Sequence, residues 1–197
     1  MKAGTSVAWL GAALAASCVF ALSAQAPAND GPKYAPATNN LIAPADYREW
    51  IFLSSSLGLD YRAVPPGTPP GFGNVFVNPS SYRAFKQTGK WPDKTILVLE
   101  FHASGKETIK DREGRFQAAF TGFEAEVKDA RFPAGWAYYG GLAAGRPAAP
   151  LSGDPEQTCI DCHTKNTAVE RTFVQFYPTL LEVAKKMGTV KATYGEP

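Results

Sequence analysis

The residues CIDCHTKN, 159 to 166, bring two thiols and an imidazole together at a spacing that can do chemistry. Cys159 and Cys162 are three positions apart, and His163 follows directly. Three kinds of site use such residues: a thiol–disulfide exchange centre, a tetrahedral zinc site, and a porphyrin joined through its two vinyl groups to both thiols, with the histidine bound to its iron. The rest of the chain discriminates among these interpretations.

Two of the three interpretations find little support elsewhere. A thioredoxin-like centre lies early in a βαβ unit, whereas Cys159 lies near the C-terminus, after a loop rich in Pro, Gly and Ala. Zinc requires four ligands, and the other histidine of the chain is His102. The motif therefore favours one covalently attached haem c, bound through Cys159 and Cys162, with His163 as the ligand of its iron.

The N-terminus has the layout of a secretory signal peptide. Lys2 precedes an uncharged apolar run, residues 7–22, and small residues follow it. We assign residues 1–26 to this peptide, with cleavage after Ala24 or Ala28 as alternatives. The run is short for a transmembrane helix, so we expect an exported protein with no membrane span once the peptide is removed. That removal leaves the two motif cysteines and no disulfide framework.

The charge of the chain argues against a nucleic-acid partner. There are 20 Lys and Arg residues against 18 Asp and Glu, with no basic stripe. Binding to nucleic acid depends on a concentrated positive surface, so we expect none. The length suits one domain with a single core, which we place at residues 41–197, after a flexible lead-in at residues 27–40 that is rich in Ala, Pro and Asn.

The middle of the chain is predicted to consist mainly of strands. TILVLEFHA, 95 to 103, is the strongest strand, and NVFV, 74 to 77, leads into a short helix between Asn78 and Gly89. Three further strands are predicted for RFQAAF, FEAEVKDARF and GWAYYGG. The predicted fold class is α+β, a mostly antiparallel β-sheet with short helices packed on it.

Helices are predicted around and after the cysteine motif. Asp154 has the character of an N-cap, so the motif is expected to lie on a short C-terminal helix. Val169, Phe173 and Phe176 follow a helical spacing. A terminal helix then carries Met187 on an apolar stripe, where we expect it to be a core residue.

Five blocks of the sequence resemble the cytochrome P-460 family and occur in the order of that family. They run from about Pro44 to Leu181 and read PADYREWIFLSSSLG, VFVNPSSYRAFKQTGKWPDKTILVLEF, GFEAEVKDARF, GWAYY and CIDCHTKNTAVERTFVQFYPTL. The resemblance implies a mostly antiparallel β protein with one haem c, commonly a homodimer in the bacterial periplasm. It also implies that His163 is the proximal ligand and that the distal side of the iron is open.

The resemblance implies two functions that differ at one strand position. Cytochrome P-460 oxidises hydroxylamine, and its haem is cross-linked to a lysine on the strand corresponding to TILVLEF; cytochrome c′-β lacks the cross-link and binds nitric oxide or carbon monoxide. This chain has Leu99 at the lysine position. We therefore expect binding of a small diatomic ligand, with a redox partner protein. A haem-dependent oxidoreductase acting on hydroxylamine or nitric oxide, and simple electron transfer, are the alternatives.

Strand alternation predicts which side chains would line the distal pocket. A period of two places Leu97, Leu99 and Phe101 on one face, with Glu100 and His102 on the other. If Leu99 faces the haem, the distal wall is apolar and offers no proton relay. The alternative is that all three are ordinary sheet core.

Other side chains remain open as contributors to the site. A cross-link shifted to another lysine is one such possibility, with Lys86, Lys90 and Lys94 as the candidates. The enzyme of the family also uses a distal carboxylate from the segment ahead of the haem motif, where this chain has Asp154 and Glu156.

Overall fold

The computed structural model describes residues 29–59, 64–106 and 114–194. The described chain forms a five-stranded antiparallel sheet, a two-stranded antiparallel pair and three α-helices, which confirms the predicted α+β class. The predicted signal peptide lies outside the described residues. The elements are β1 (Leu41–Ile42), β2 (Ile51–Leu57), β3 (Phe72–Val77), α1 (Pro79–Thr88), β4 (Thr95–Lys106), β5 (Arg115–Lys128), β6 (Trp136–Tyr139), β7 (Pro147–Ala148), α2 (Asp154–Lys165) and α3 (Pro178–Met187), with short 3-10 turns at Tyr47–Glu49 and Val174–Phe176.

The large sheet is an antiparallel meander in the order β2-β3-β4-β5-β6. β4 lies at its centre, where Leu97 pairs with Val77 of β3 and with Glu126 of β5. Glu126 pairs in turn with Tyr138 of β6. Because cross-strand partners point to the same face, these four side chains form one row across the sheet.

Each face of the sheet covers its own apolar core. Val98 and Val127 point into the first core, together with β1 and the turn that carries Tyr47. Leu97 and Trp136 point into the second core, which α1 and α3 complete from the other side. With both faces of its central strand buried, TILVLEF reads as an almost continuous apolar run, which is why it is the clearest strand in the sequence.

Helix α1 begins and ends where the sequence predicted. Asn78 occupies the N-cap position, and Gly89 ends the helix in the left-handed conformation with φ of 69°. The Asn78 side chain does not cap the helix; its Oδ1 accepts a hydrogen bond from the backbone N–H of Ile96, 3.0 Å away. A side chain at Gly89 would meet Thr189 and Met187, so glycine also allows the end of α1 to approach the end of α3.

The helix predicted across Val169, Phe173 and Phe176 is wrong. Glu170 adopts a positive φ of 51°, which interrupts any helix, and a turn brings Thr172 back to Val169 in an isolated β-bridge. Val169 and Phe173 pack on the second core, but Phe176 is 46% exposed, so the helix-like spacing does not mark one buried face.

Three smaller expectations also need correction. Asp154 is the first residue of α2 rather than its cap, because Gly153, with φ of 64°, occupies the N-cap position. Met187 is 43% exposed at the last position of α3, so it is not a core residue; Leu180 and Ala184 bury that face instead. RFQAAF and FEAEVK form one continuous strand, β5, that passes through Gly122 at φ of 150°.

The described part of the segment assigned to a lead-in makes specific contacts with the domain. The Ser80 backbone N–H donates to the Asp30 carboxylate, 2.8 Å away. The Tyr34 hydroxyl donates to Oδ2 of the buried Asp129 at 2.9 Å. Both contacts anchor residues 29–40 beside the sheet. Within the three described ranges, no helix combines the length and hydropathy needed to cross a bilayer.

Candidate functional site

Helix α2 carries all three residues of the cysteine motif. Pro155 lies in its first turn, where a missing backbone N–H has no cost, and Asn166 ends it by donating its own N–H to the Cys162 carbonyl at 2.9 Å. The thiols of Cys159 and Cys162 are half-buried and free of any disulfide. Burial and the nearby Glu124 carboxylate both raise the pKa of the Cys159 thiol.

The imidazole of His163 is fixed on several sides. Its Nδ1 lies 2.7 Å from the carbonyl oxygen of Arg171 and 3.0 Å from Oε2 of Glu126. The rings of Tyr138 and Phe173 contact it edge to face, with centroids 4.8 and 4.9 Å away. The turn that replaces the predicted helix after Val169 therefore brings Arg171 and Phe173 to the motif.

This arrangement prepares the other ring nitrogen for coordination. Nδ1–H points at the Arg171 carbonyl, so Nε2 is the nitrogen that carries the lone pair, and the described chain gives it no hydrogen-bond partner. Burial lowers the pKa of His163, but the Glu126 carboxylate and the Arg171 carbonyl together outweigh burial, and the net pKa lies above the ordinary value. A metal-binding histidine held through its other nitrogen by a carbonyl or carboxylate has this geometry.

The three residues predicted for the distal wall share the sheet face of His163. Along β4, Leu97 and Leu99 alternate with residues that point into the first core, on the other side of the sheet. Leu97 lies in the same cross-strand row as Glu126 and Tyr138, which contact His163. Leu97 is 2% exposed within the second core. Leu99 and Phe101 are only half-buried and belong to neither core of the described chain. That part of the face therefore presents two apolar side chains from β4, which the described residues leave uncovered.

Two glycines lie beside these two side chains. Gly73 of β3 and Gly122 of β5 both stand opposite Phe101. A side chain at Gly73 would come within 3.2 Å of the Leu99 Cδ1 methyl carbon, and one at Gly122 would meet nothing within 4 Å. Of the two positions, only Gly122 faces open space, so a large flat group can approach the sheet closely there.

Sequence reasoning missed two carboxylates on the same face. Glu124 is the cross-strand partner of Leu99, and Glu126 is the partner of Leu97. The alternation of FEAEVK was itself a sufficient signal, because it puts both glutamates on the face opposite Phe123, Ala125 and Val127. The expectation of a wall without a polar group is therefore wrong at the position beside Leu99.

The opposite sheet face holds the residues that the prediction directed away from the site. His102 Nε2 contacts the carboxylate of Glu100, which is 3% exposed. Glu100 also accepts hydrogen bonds from Tyr47 at 2.5 Å and Arg48 at 2.7 Å. These contacts lower the pKa of Glu100 even though burial opposes the shift. Through these contacts, Glu100 joins the turn at Tyr47 to the sheet.

The remaining candidates are spread around the site. Lys94 Nζ pairs with Asp129 at 2.5 Å, and Lys86 lies over the ring of Tyr82; Lys90 is exposed. Asp154 is exposed. Glu156 is half-buried and adds to the raised pKa of the Cys159 thiol, after the larger effects of burial, Glu124, Cys162 and Glu126.

The site suits a haem better than a simple ion. In the part of the chain that the structure describes, no group of three or more His, Cys, Asp and Glu side chains could hold a metal ion, as a zinc site would require. A planar macrocycle with an iron centre matches three features of the site. These are a histidine held through Nδ1, two thiols on the same helix, and a partly apolar sheet face that the described residues leave uncovered.

Fold and site together define a haem-binding cytochrome built on an antiparallel sheet. The model of the family described as Cytochrome P460 matches residues 44–174, which is more than half of the chain. The chain therefore belongs to the cytochrome P460 family. No curated protein matches it.

Proposed function

We propose that this protein is a periplasmic c-type cytochrome with one haem, which binds nitric oxide or carbon monoxide at an open distal site. Thioether bonds to Cys159 and Cys162 hold the haem on α2, and His163 binds its iron through Nε2. Ferrous haem supplies the affinity for diatomic ligands. The protein is expected to be a homodimer that is kept in redox exchange by a partner protein.

One observation carries the choice of ligand. Leu99 stands where the hydroxylamine-oxidising branch has its cross-linking lysine, and it lies on the sheet face of His163, half-buried and uncovered by either core. Phe101 extends the apolar surface. Such a surface favours small uncharged ligands over water. Lys94, which directly precedes β4, is already paired with Asp129.

Ligand titration of the purified haem protein tests this proposal. The ferrous protein is titrated anaerobically with nitric oxide and with carbon monoxide while the Soret absorption is recorded. Saturable, reversible spectral changes with both gases are expected. A ferrous protein whose spectrum is unchanged by either gas would contradict an open distal site.

Oxidation of hydroxylamine or nitric oxide is the second candidate, and Glu124 is the observation that favours it. Its carboxylate is half-buried on the same face, directly across from Leu99, where it can accept a proton from a bound nitrogen compound. Turnover of hydroxylamine with a dye acceptor tests this function. Activity that falls strongly in Glu124→Gln would favour the enzyme over the gas-binding protein.

Electron transfer alone is less well supported. It would require a second protein ligand on the iron. His102 lies on the other sheet face with Glu100, and Met187 lies beside Gly89 at the far end of α3. Neither side chain shares the surroundings of His163.

A further inference from the structure

Glu126 places a buried, unpaired carboxylate oxygen directly behind the motif histidine. Its Oε2 lies 3.0 Å from Nδ1 of His163 and has no hydrogen-bond partner among the described residues. The Nδ1 hydrogen is directed instead at the carbonyl oxygen of Arg171, 2.7 Å away. The carboxylate is therefore not needed to hold the ring in place, because the backbone already does so.

Keeping a carboxylate in this position is costly. A buried charged oxygen loses its hydration, and here the His163 ring offers it an ionic contact at 3.0 Å but no hydrogen bond. Two further buried polar atoms close by, the hydroxyl of Tyr138 and Nη1 of Arg171, are also without hydrogen-bond partners in the described chain. A neutral glutamine or an apolar residue would satisfy the packing with less penalty, so packing alone does not explain Glu126.

The sheet fixes this carboxylate rigidly. Glu126 lies between Leu97 and Tyr138 in one cross-strand row, and its side chain is 11% exposed. The ring of Tyr138 also contacts the ring of His163. Because the strand and the histidine are held by the same neighbours, the distance between the carboxylate and Nδ1 is built into the fold.

We propose that Glu126 is a positioning residue that acts through His163 to lower the reduction potential of the haem iron. This inference rests on the proposed function, in which His163 is the axial ligand. A negative charge beside Nδ1 increases the electron density that Nε2 donates, and a more strongly donating ligand stabilises ferric over ferrous iron. Glu126 thereby sets how readily the protein enters the ferrous state that binds gas.

The test compares Glu126→Gln, which keeps the shape but removes the charge, with Glu126→Asp, which keeps the charge. Asp161→Asn is the matched control, because it removes one carboxylate from an exposed position on α2, two residues before His163. The reduction potential is measured by spectroelectrochemistry. The iron–histidine stretching frequency is measured by resonance Raman scattering of the ferrous protein. Haem content and thermal unfolding are recorded for each variant.

We expect Glu126→Gln to favour the ferrous state by at least tenfold at a fixed potential, which corresponds to a rise of 59 mV for one electron. Its iron–histidine frequency should fall. Glu126→Asp should stay nearer to the wild type in both measurements, and Asp161→Asn should leave the frequency unchanged.

Two outcomes are distinguishable from this expectation. If the wild type holds haem with an iron–histidine bond but Glu126→Gln matches Asp161→Asn in both potential and frequency, the role of Glu126 is overturned and the proposed function stands. If the wild type lacks the iron–histidine bond, the proposed function fails and the inference fails with it.

Discussion

Leu99 and Glu124 are direct cross-strand partners on the sheet face that His163 approaches. The pairing brings an apolar side chain and a carboxylate together on the part of the face where we propose that the haem binds. The identity of residue 99 decides whether an amine is available there. The carboxylate of Glu124 decides whether a proton acceptor is available beside it.

A lysine introduced at position 99 should reach a bound haem. Leu99→Lys places an amine on the uncovered part of the face, where the carboxylate of Glu124 would stabilise its charge. With hydrogen peroxide added as the two-electron oxidant, an N–H bond of the lysine and a C–H bond of the haem are exchanged for one N–C bond while the peroxide is reduced to water. We therefore expect a haem bonded at one further point to the polypeptide and a ferrous absorption band shifted far to the red. Absorption spectra and mass spectrometry of haem peptides measure both.

Leu99→Met is the control for that substitution, because it changes the shape of the side chain without adding an amine. Its spectrum should remain that of the wild type. If Leu99→Lys gave the same spectrum as Leu99→Met, residue 99 would not face the haem.

Removing the partner of Trp91 should weaken the core behind the site. The indole Nε1–H donates to the Thr172 hydroxyl at 2.7 Å, and both residues are buried. Thr172→Val keeps the shape but leaves that donor unsatisfied and also removes the hydrogen bond that the hydroxyl donates to the Val169 carbonyl at 2.9 Å, so the free energy of unfolding should fall by about 1–3 kcal/mol. Urea unfolding measures the change. Thr88→Val, at the exposed last position of α1, is the control. Equal losses in the two variants would show that the buried bond contributes nothing specific.

Lys191 should stabilise the C-terminal end of the helix that carries the motif. Its ammonium donates to the Thr164 carbonyl at 2.9 Å and to the Thr167 hydroxyl at 2.8 Å. A cation at this end also complements the helix dipole, so Lys191→Met should lower the free energy of unfolding by about 1 kcal/mol. Lys33→Met, at an exposed position outside any helix, should have almost no effect. Chemical unfolding of both variants measures the free energy of unfolding. An unchanged value in Lys191→Met would refute the prediction.

Asp129 should make stability depend on acidic pH. Burial would raise its pKa, but hydrogen bonds from Lys94, from the Arg131 backbone and from Tyr34 together lower it. A lowered folded-state pKa stabilises the protein above the unfolded-state value of about 3.9, and this stabilisation disappears as the pH falls through the folded-state pKa. Asp129→Asn should therefore be less stable than the wild type at neutral pH, with a gap that narrows under acid.

Urea unfolding of both proteins at a series of pH values measures that gap. Asp46→Asn is the control, because Asp46 is exposed ahead of the turn at Tyr47 and makes no capping bond through its side chain. A gap for Asp129→Asn that stayed constant from neutral to acidic pH would show that the carboxylate is not the source of the stabilisation.

The sequence was informative where one periodicity or one motif determined the structure. β4 is long, apolar and alternating, and Gly89 ends α1 because it alone tolerates the left-handed conformation cheaply. The α+β class and the placement of the motif on a short helix followed from such local signals. The roles of Leu97, Leu99 and Phe101 toward the haem, and the attachment at Cys159 and Cys162, remain predictions.

The surroundings of His163 could not be predicted from local pattern. Arg171 reaches Nδ1 through its backbone carbonyl, which any residue could supply, and the turn that presents it depends on Glu170 at positive φ. Glu126 reaches the same nitrogen from β5, 37 positions earlier in the chain, because the sheet register places it there. The spacing of residues in the sequence predicts neither contact. The alternation of Glu124 and Glu126 does predict which sheet face they occupy, but their partner could be identified only once the structure placed helix α2 against that face.

The intact mass of the denatured protein, matured in a host that can attach haem c, tests the central claim most directly. The account predicts the mass of the polypeptide plus one haem, with the haem retained through denaturation because Cys159 and Cys162 bind it covalently. A mass equal to the polypeptide alone, whether the protein is colourless or releases its haem into solvent, would contradict it.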